Sequence, residues 1–242
     1  MDAIKTVNLT KNYKDIIAVD NLNLQITQGE LFSLLGVNGA GKTTTIKMLS
    51  CLTMPTEGDA TVGGYSIKNE AEKVKRLIGV SPQETAVAPG LTVRENLELI
   101  CGIHGFSKEK SERKINELSK RLNLDSVLTR KAGKLSGGWQ RRVSIAMALI
   151  SEPDVLFLDE PTLGLDVLAR SELWELIRLL KGEVTIILTT HYMEEAEALS
   201  DRIGIMKDGR MLAMGRADEI MEKTKTDRFE NAFIKIVKEG VI

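Results

Sequence analysis

The sequence has little of what several protein classes require. Its 242 residues include two cysteines, Cys51 and Cys101, and two histidines, His104 and His191. Two thiols cannot build a disulfide framework, and they suit a reducing compartment. Cys101 and His104 form a CxxH pair, but zinc takes three or four protein ligands and only one further histidine exists, so no metal is expected there. Neither sign of charge dominates: 33 Lys and Arg stand against 34 Asp and Glu, a formal net charge of −1. The basic footprint of a broad nucleic-acid binder is missing, and nucleic acid is not an expected partner. The start, Met1-Asp2-Ala3-Ile4-Lys5, has no apolar signal core, and no apolar run approaches the roughly 20 residues that span a bilayer. Direct membrane insertion is therefore not expected; work at a membrane would need another chain to hold this one there. What remains is 43% hydrophobic content, enough for one substantial core in a domain or a domain plus subdomain.

One stretch organises the chain. Gly36-Val37-Asn38-Gly39-Ala40-Gly41-Lys42-Thr43 matches GxxxxGK[ST] and sits between an apolar run over 31–35 and a predicted helix over 44–51. That is a strand, a phosphate loop and a helix. The glycines let backbone N–H groups turn inward on a polyphosphate, and the positive end of the next helix adds to the attraction. Lys42 is placed to reach the β- and γ-phosphates, and the Thr43 hydroxyl to sit on magnesium, a hard cation that favours oxygen ligands.

Upstream, alternating apolar positions over 4–9 and 18–26, around turn residues Asn12, Asp20 and Asn21, predict short antiparallel strands. Tyr13 lies between them, either as an adenine-stacking ring or as a half-buried strand tyrosine. Downstream come a short strand over 60–62, a helix over 68–76 and a buried strand over 77–80 that ends at Ser81-Pro82-Gln83. Gln83 offers a neutral oxygen to magnesium or water, or is solvated surface. Thr92 and Glu95 form a capping box ahead of a helix to about 101, and Ser107 caps an amphipathic helix over 108–121 with a solvated charged face. The nine methionines are scattered and read as core filler.

Three further stretches carry chemistry. In Leu135-Ser136-Gly137-Gly138-Trp139, Ser136 is the expected cap of a helix over 143–150, and its hydroxyl with two glycine amides makes either a second anion site or an ordinary helix start. The apolar strand over 155–158 runs into Asp159-Glu160, where Asp159 can hold magnesium through its water shell and Glu160 can polarise an attacking water. Asp166 is the expected cap of a helix to 180. A β-branched strand over 184–189 ends at Thr190-His191, which puts His191 at the same sheet edge as Glu160 and within reach of a γ-phosphate. The remainder predicts a helix over 193–199, a hairpin over 202–214 turning at Asp208-Gly209, and helices from 218 and over 228–238.

With a phosphate loop, LSGG, a strand ending in Asp-Glu and a late histidine in this order over nearly the whole chain, the sequence resembles the nucleotide-binding subunit of an ABC transporter. The resemblance implies an α/β fold: a P-loop NTPase, RecA-like core with a mixed sheet, an N-terminal antiparallel β subdomain and an α-helical signature subdomain. The segments would be 1–85, with the β subdomain and first part of the core, 86–153, the helical subdomain, and 154–242, the second part of the core. By position, Tyr13 matches the adenine-stacking aromatic and 36–44 the Walker A loop, with Gly36, Asn38, Gly39, Ala40, Gly41, Lys42, Thr43 and Thr44 on the nucleotide. Gln83 matches the Q-loop glutamine that senses magnesium beside the membrane partner. Ser136, Gly137 and Gly138 match the signature that completes the ATP site of the opposite subunit. Asp159 and Glu160 match Walker B and the catalytic glutamate, Asp166 the D-loop, and His191 the switch histidine. Trp139 departs from the glutamine usual after LSGG.

The resemblance further implies ATP and Mg2+ as ligands, head-to-tail pairing with a second ATP-binding subunit, and a transmembrane permease that holds the chain peripherally on the inner face of the cell membrane. The stretches 164–170 and 191–197 look like the drug- and sodium-export branch. A soluble ABC ATPase of iron–sulfur cluster assembly is the competing reading. Translation-type members carry two ATPase units, and no internal repeat is present; repair-type members carry a long coiled-coil insertion, and 42–136 has no room for one. A small-molecule kinase would have no use for LSGG.

Overall fold

The computed structural model describes residues 1–240. Strands β1 (Asp2–Tyr13), β2 (Ile16–Thr27), β4 (Glu57–Val62) and β5 (Tyr65–Ser66) form an antiparallel sheet in the order β2-β1-β4-β5. Strands β3 (Leu31–Leu35), β6 (Ile78–Ser81), β7 (Val155–Asp159), β8 (Thr185–Thr190), β9 (Arg202–Lys207) and β10 (Arg210–Gly215) form a second sheet, ordered β10-β9-β3-β8-β7-β6. Its neighbours are parallel except β10, which pairs antiparallel with β9 through the Asp208-Gly209 turn.

The second sheet is covered on both faces, which is why its central strands are apolar throughout. Alternate residues of one strand enter different cores. Leu156 and Leu158 of β7 join Ile186 and Leu188 of β8 on the face packed by α3 (Val93–Ile103), α4 (Lys108–Arg121), α5 (Gly137–Leu149) and α6 (Val167–Leu180). Val155, Phe157 and Ile187 point to the other face, where α1 (Lys42–Leu49) lies between this sheet and the inner face of the antiparallel one. A third cluster joins β9 and β10 to α7 (Met193–Leu199), α8 (Ala217–Thr224) and α9 (Phe229–Glu239).

Local signals account for the element ends. The Thr92 side chain accepts from the Glu95 N–H while the Glu95 carboxylate accepts from the Thr92 N–H at 2.7 Å, a closed capping box on α3. Ser107 accepts from Lys110 N–H at 3.2 Å to start α4, whose Ile115 and Leu118 are buried. Asp166 accepts from Ala169 N–H at 2.9 Å to start α6.

Three expectations need correction. β1 and β2 are not short: each runs 12 residues, joined by a two-residue turn at Lys14-Asp15. Asn12, Asp20 and Asn21 lie inside the strands, where the ladder shifts register; Asn21 takes the left-handed backbone (φ 52), which asparagine tolerates. The helix predicted over 68–76 begins later, as α2 (Ala71–Leu77), because the Ser66 hydroxyl accepts from the N–H groups of Lys68 and Asn69 and holds them in a turn. Ser136 stands at the start of α5 with an extended backbone, but its hydroxyl makes no cap hydrogen bond. Residues 136 and 137 are exposed, so water can satisfy the first-turn amides that no helix satisfies internally.

The edge strand β6 fixes α5. A Cβ on Gly79 would lie 2.2 Å from the main-chain oxygen of Ala148, so only glycine allows this approach. Gly79→Ala is expected to cost about 1–3 kcal/mol through overpacking. Thermal unfolding would show it as a lowered Tm; an unchanged Tm would contradict this packing.

Candidate active site

β3, β8 and β7 lie side by side in register, with Leu35 opposite Thr190 and Asp159 opposite Thr189. Whatever follows each strand therefore emerges at one sheet edge, where open α/β sheets bind ligands. After β3 comes the glycine loop, after β7 Glu160, and after β8 His191.

The loop closes tightly onto α1. Gly41 has φ 101, and a Cβ there would meet the main-chain oxygen of Ala18 at 2.4 Å, so the position excludes side chains twice over. Lys42, 5% exposed, folds back over the loop. Its Nζ donates to the oxygens of Gly36 at 2.8 Å and Val37 at 3.3 Å and lies 3.2 Å from Glu160 Oε1. The other carboxylate oxygen of Glu160 is 2.7 Å from His191 Nδ1. The His191 ring leans on Tyr192, with centroids 4.1 Å apart.

Glu160 itself is in the left-handed region (φ 48), unusual for glutamate and a local strain. Thr189 holds it there. The Glu160 N–H donates to Thr189 O at 3.1 Å and Thr189 Oγ1 at 3.0 Å, while that hydroxyl donates to Asp159 Oδ1 at 2.5 Å. The same Asp159 oxygen accepts from Thr43 Oγ1 at 3.1 Å.

Lys42, Thr43, Glu160 and His191 border a cleft of ≈ 670 Å³ at the sheet edge. Tyr13, Asn38, Gly39, Ala40, Gly41, Lys42, Thr43, Thr44, Gln83, Glu160 and His191 all line it. Tyr13 is half exposed at the tip of the β1–β2 hairpin, with Lys11 Nζ 5.0 Å from its ring centre. Asp159 and Gly36 are buried beneath, Asp159 linked through Thr43. Four expected residues lie elsewhere: Ser136, Gly137, Gly138 and Asp166 do not border the cleft. Trp139, beside them, packs under Arg142, whose guanidinium sits 4.8 Å from the indole centre and pairs with Glu172 of α6. Cys101 is buried in α3, and His104 caps its exposed end.

A magnesium ion fits this donor set. Thr43 Oγ1 and Asp159 Oδ1 already share a hydrogen bond, and Gln83 borders the same cleft. Among the described residues no three His, Cys, Asp or Glu side chains cluster as a metal cage. Few protein oxygens, with water and phosphate completing the shell, is how magnesium is usually held.

Sequence reasoning passed over three residues. Thr189 looked like one more β-branched strand residue. Arg141, 5% exposed, holds the main chain at Pro82 and Gln83. Glu195 is fully buried on α7 beyond His191, where its Oε1 accepts from Trp174 Nε1 at 3.0 Å. Its spacing from His191 was the available signal, and nothing in the sequence alone said that it was buried.

The comparisons agree with this geometry. Residues 19–163 match the model of the ABC transporter family. The chain belongs to that family. It is 41% identical over 229 residues to the daunorubicin resistance ATP-binding protein DrrA3 of Streptomyces coeruleorubidus, spanning 94% of this chain and 72% of that one. It is 42% identical over 216 residues to the Nod factor export ATP-binding protein I of Burkholderia lata, spanning 89% and 71%. Among solved structures, the ATP-binding cassette MJ0796, a dimer in a post-hydrolysis state bound to ADP and Pi, superposes with a TM-score of 0.79 at 32% identity, covering 88% of this chain and 98% of that one. This chain is thus an ATP-binding, ATP-hydrolysing subunit of an ABC transporter. Among the described residues no helix is long and apolar enough to cross a membrane.

Burial raises the Glu195 carboxyl above its ordinary 4.5, against smaller opposing effects of the nearby Thr190 and Thr162 hydroxyls, the Trp174 hydrogen bond and the Arg170 charge. The folded state then holds its proton more tightly than the unfolded one, so this group weakens the fold as pH rises from 4.5 through the raised value. Glu195→Gln, which keeps the acceptor for Trp174, is expected to raise the Tm at pH 7.5 and to have little effect near pH 4.5. Equal shifts at both pH values would contradict this.

Proposed function

We propose that this chain is the motor of an outward-directed transporter, paired head-to-tail with a second ATP-binding subunit, a copy or a relative, on the cytoplasmic side of a separate membrane-spanning permease. One observation carries the reading: the cleft gathers the phosphate loop, Glu160 and His191, while Ser136 and Gly137 stand exposed outside it at a helix start with an unused hydroxyl and free amides. Such a helix start suits an anion. A head-to-tail pair sets each Ser136 against the partner's nucleotide. The resistance and export functions in the relatives' names support the outward direction. Exposed Leu99 and Ile103 on α3, 49% and 71% accessible, offer the helical layer an apolar contact for the permease.

Within the pair each residue has a distinct task. Tyr13 stacks on the adenine, and the amides at 38–44 cradle the phosphates with Lys42 countering their charge. Thr43, Asp159 and Gln83 would hold magnesium, which when bound neutralises charge on the transferred phosphoryl group. Glu160 orients the attacking water and accepts its proton, and His191, bonded to Glu160, contacts the γ-phosphate. Asp166, beyond its capping role, faces the partner subunit.

Glu160→Gln is expected to keep ATP binding and lower steady-state phosphate release by about 100-fold or more, the scale of general-base catalysis. Turnover near the wild-type rate would refute that role. The same variant is expected to form a dimer with ATP and not with ADP, read by sedimentation; a monomer under both conditions would refute the head-to-tail pair.

A further inference from the structure

Arg141 lies one turn into α5 and is the only residue there that grips the Gln83 loop by its main chain. Its Nη1 donates to Pro82 O at 2.5 Å and its Nη2 to Gln83 O at 2.6 Å. One turn further on, Ser144 shares a hydrogen bond of 2.9 Å with Ser81, so two groups on the same helix face hold consecutive residues of the strand end and loop. Burying a cation against carbonyls alone is costly. Burial holds the guanidinium below its ordinary value, and the charges that offset this, Asp159 and Glu195, are not hydrogen-bonded to it. A planar fork can engage two adjacent carbonyls at once, which the point charge of lysine cannot.

We propose that Arg141 is a positioning residue whose two-pronged hold on Pro82 and Gln83 makes the Gln83 loop and the helix that begins at Ser136 move as one body. Where Gln83 sits in a chain's own cleft then sets where Ser136 meets the partner's nucleotide, and Arg141, with Ser144 beside it on the helix, couples the two halves of a composite site. The proposal rests on the head-to-tail reading above.

The test uses the Glu160→Gln chain as parent, with Arg141→Met and Arg141→Lys added separately. Fluorescent ATP-analogue binding at low protein concentration reads a single chain's own cleft; sedimentation with ATP reads pairing. Arg141→Met is expected to bind nucleotide within about twofold of the parent, because the phosphate loop and Tyr13 do not touch the clamp and Gln83 is one of many groups that line the cleft. Its dimer should need about tenfold or more protein to form, the scale of one charge-assisted hydrogen bond. Arg141→Lys, which keeps charge and stem and guards against a variant that fails to fold, should weaken pairing in the same direction. Unchanged pairing in both variants, or loss of nucleotide binding in parallel with pairing, would overturn the proposal. A parent that pairs with ATP tests Arg141 alone; a parent that stays monomeric would remove the head-to-tail reading and the proposal with it.

Discussion

The carboxylate of Glu160, buried between the Lys42 ammonium and the His191 imidazole, is the contact on which the site depends. Such a pair gains little net stability, because removing both charges from water offsets much of their attraction. Breaking it by removing one partner is expensive, since the other is left uncompensated in the interior. Glu160 also carries a left-handed backbone that glutamate disfavours. The surroundings must therefore determine this geometry. They do so through three adjacent parallel strands whose apolar faces are packed by helices on one side and by α1 on the other, with Thr189 tying Asp159 to Glu160 at the edge.

Much of this scaffold was legible because its signals are local. The strand at Leu31–Leu35, the helix at Met193–Leu199 and the strand at Arg202–Lys207 fall where apolar runs and their flanking turns put them. The capping residues Thr92, Ser107 and Asp166 make their predicted bonds because each needs only neighbours three residues on. The long β1–β2 ladder was not legible. Asn12, Asp20 and Asn21 are turn formers by chemistry, and only pairing with another strand turns them into irregularities within one. Ser136 takes the extended backbone of a cap, but its hydroxyl makes no bond to the first turn.

The site residues divide the same way. Those in the glycine loop, and Asp159, Glu160 and His191, announce themselves by following apolar strands. Arg141 and Glu195 do not, because a charged residue within an amphipathic helix reads as solvated surface until the packing shows otherwise. Their burial reflects contacts between segments far apart in the chain: Arg141 with Gln83, Glu195 with Trp174.

The cleft gathers the phosphate loop, Glu160 and His191, and the exposed start of α5, with Ser136 and Gly137, lies outside it. Cross-linking tests this division most directly. Chains carrying Asn38→Cys and chains carrying Ser136→Cys, each on the Glu160→Gln background and separately tagged, would be mixed and oxidised. The expected result is a disulfide between unlike chains that forms with ATP and not with ADP. Cross-links only between like chains, or none with ATP, would contradict a nucleotide site shared by two subunits.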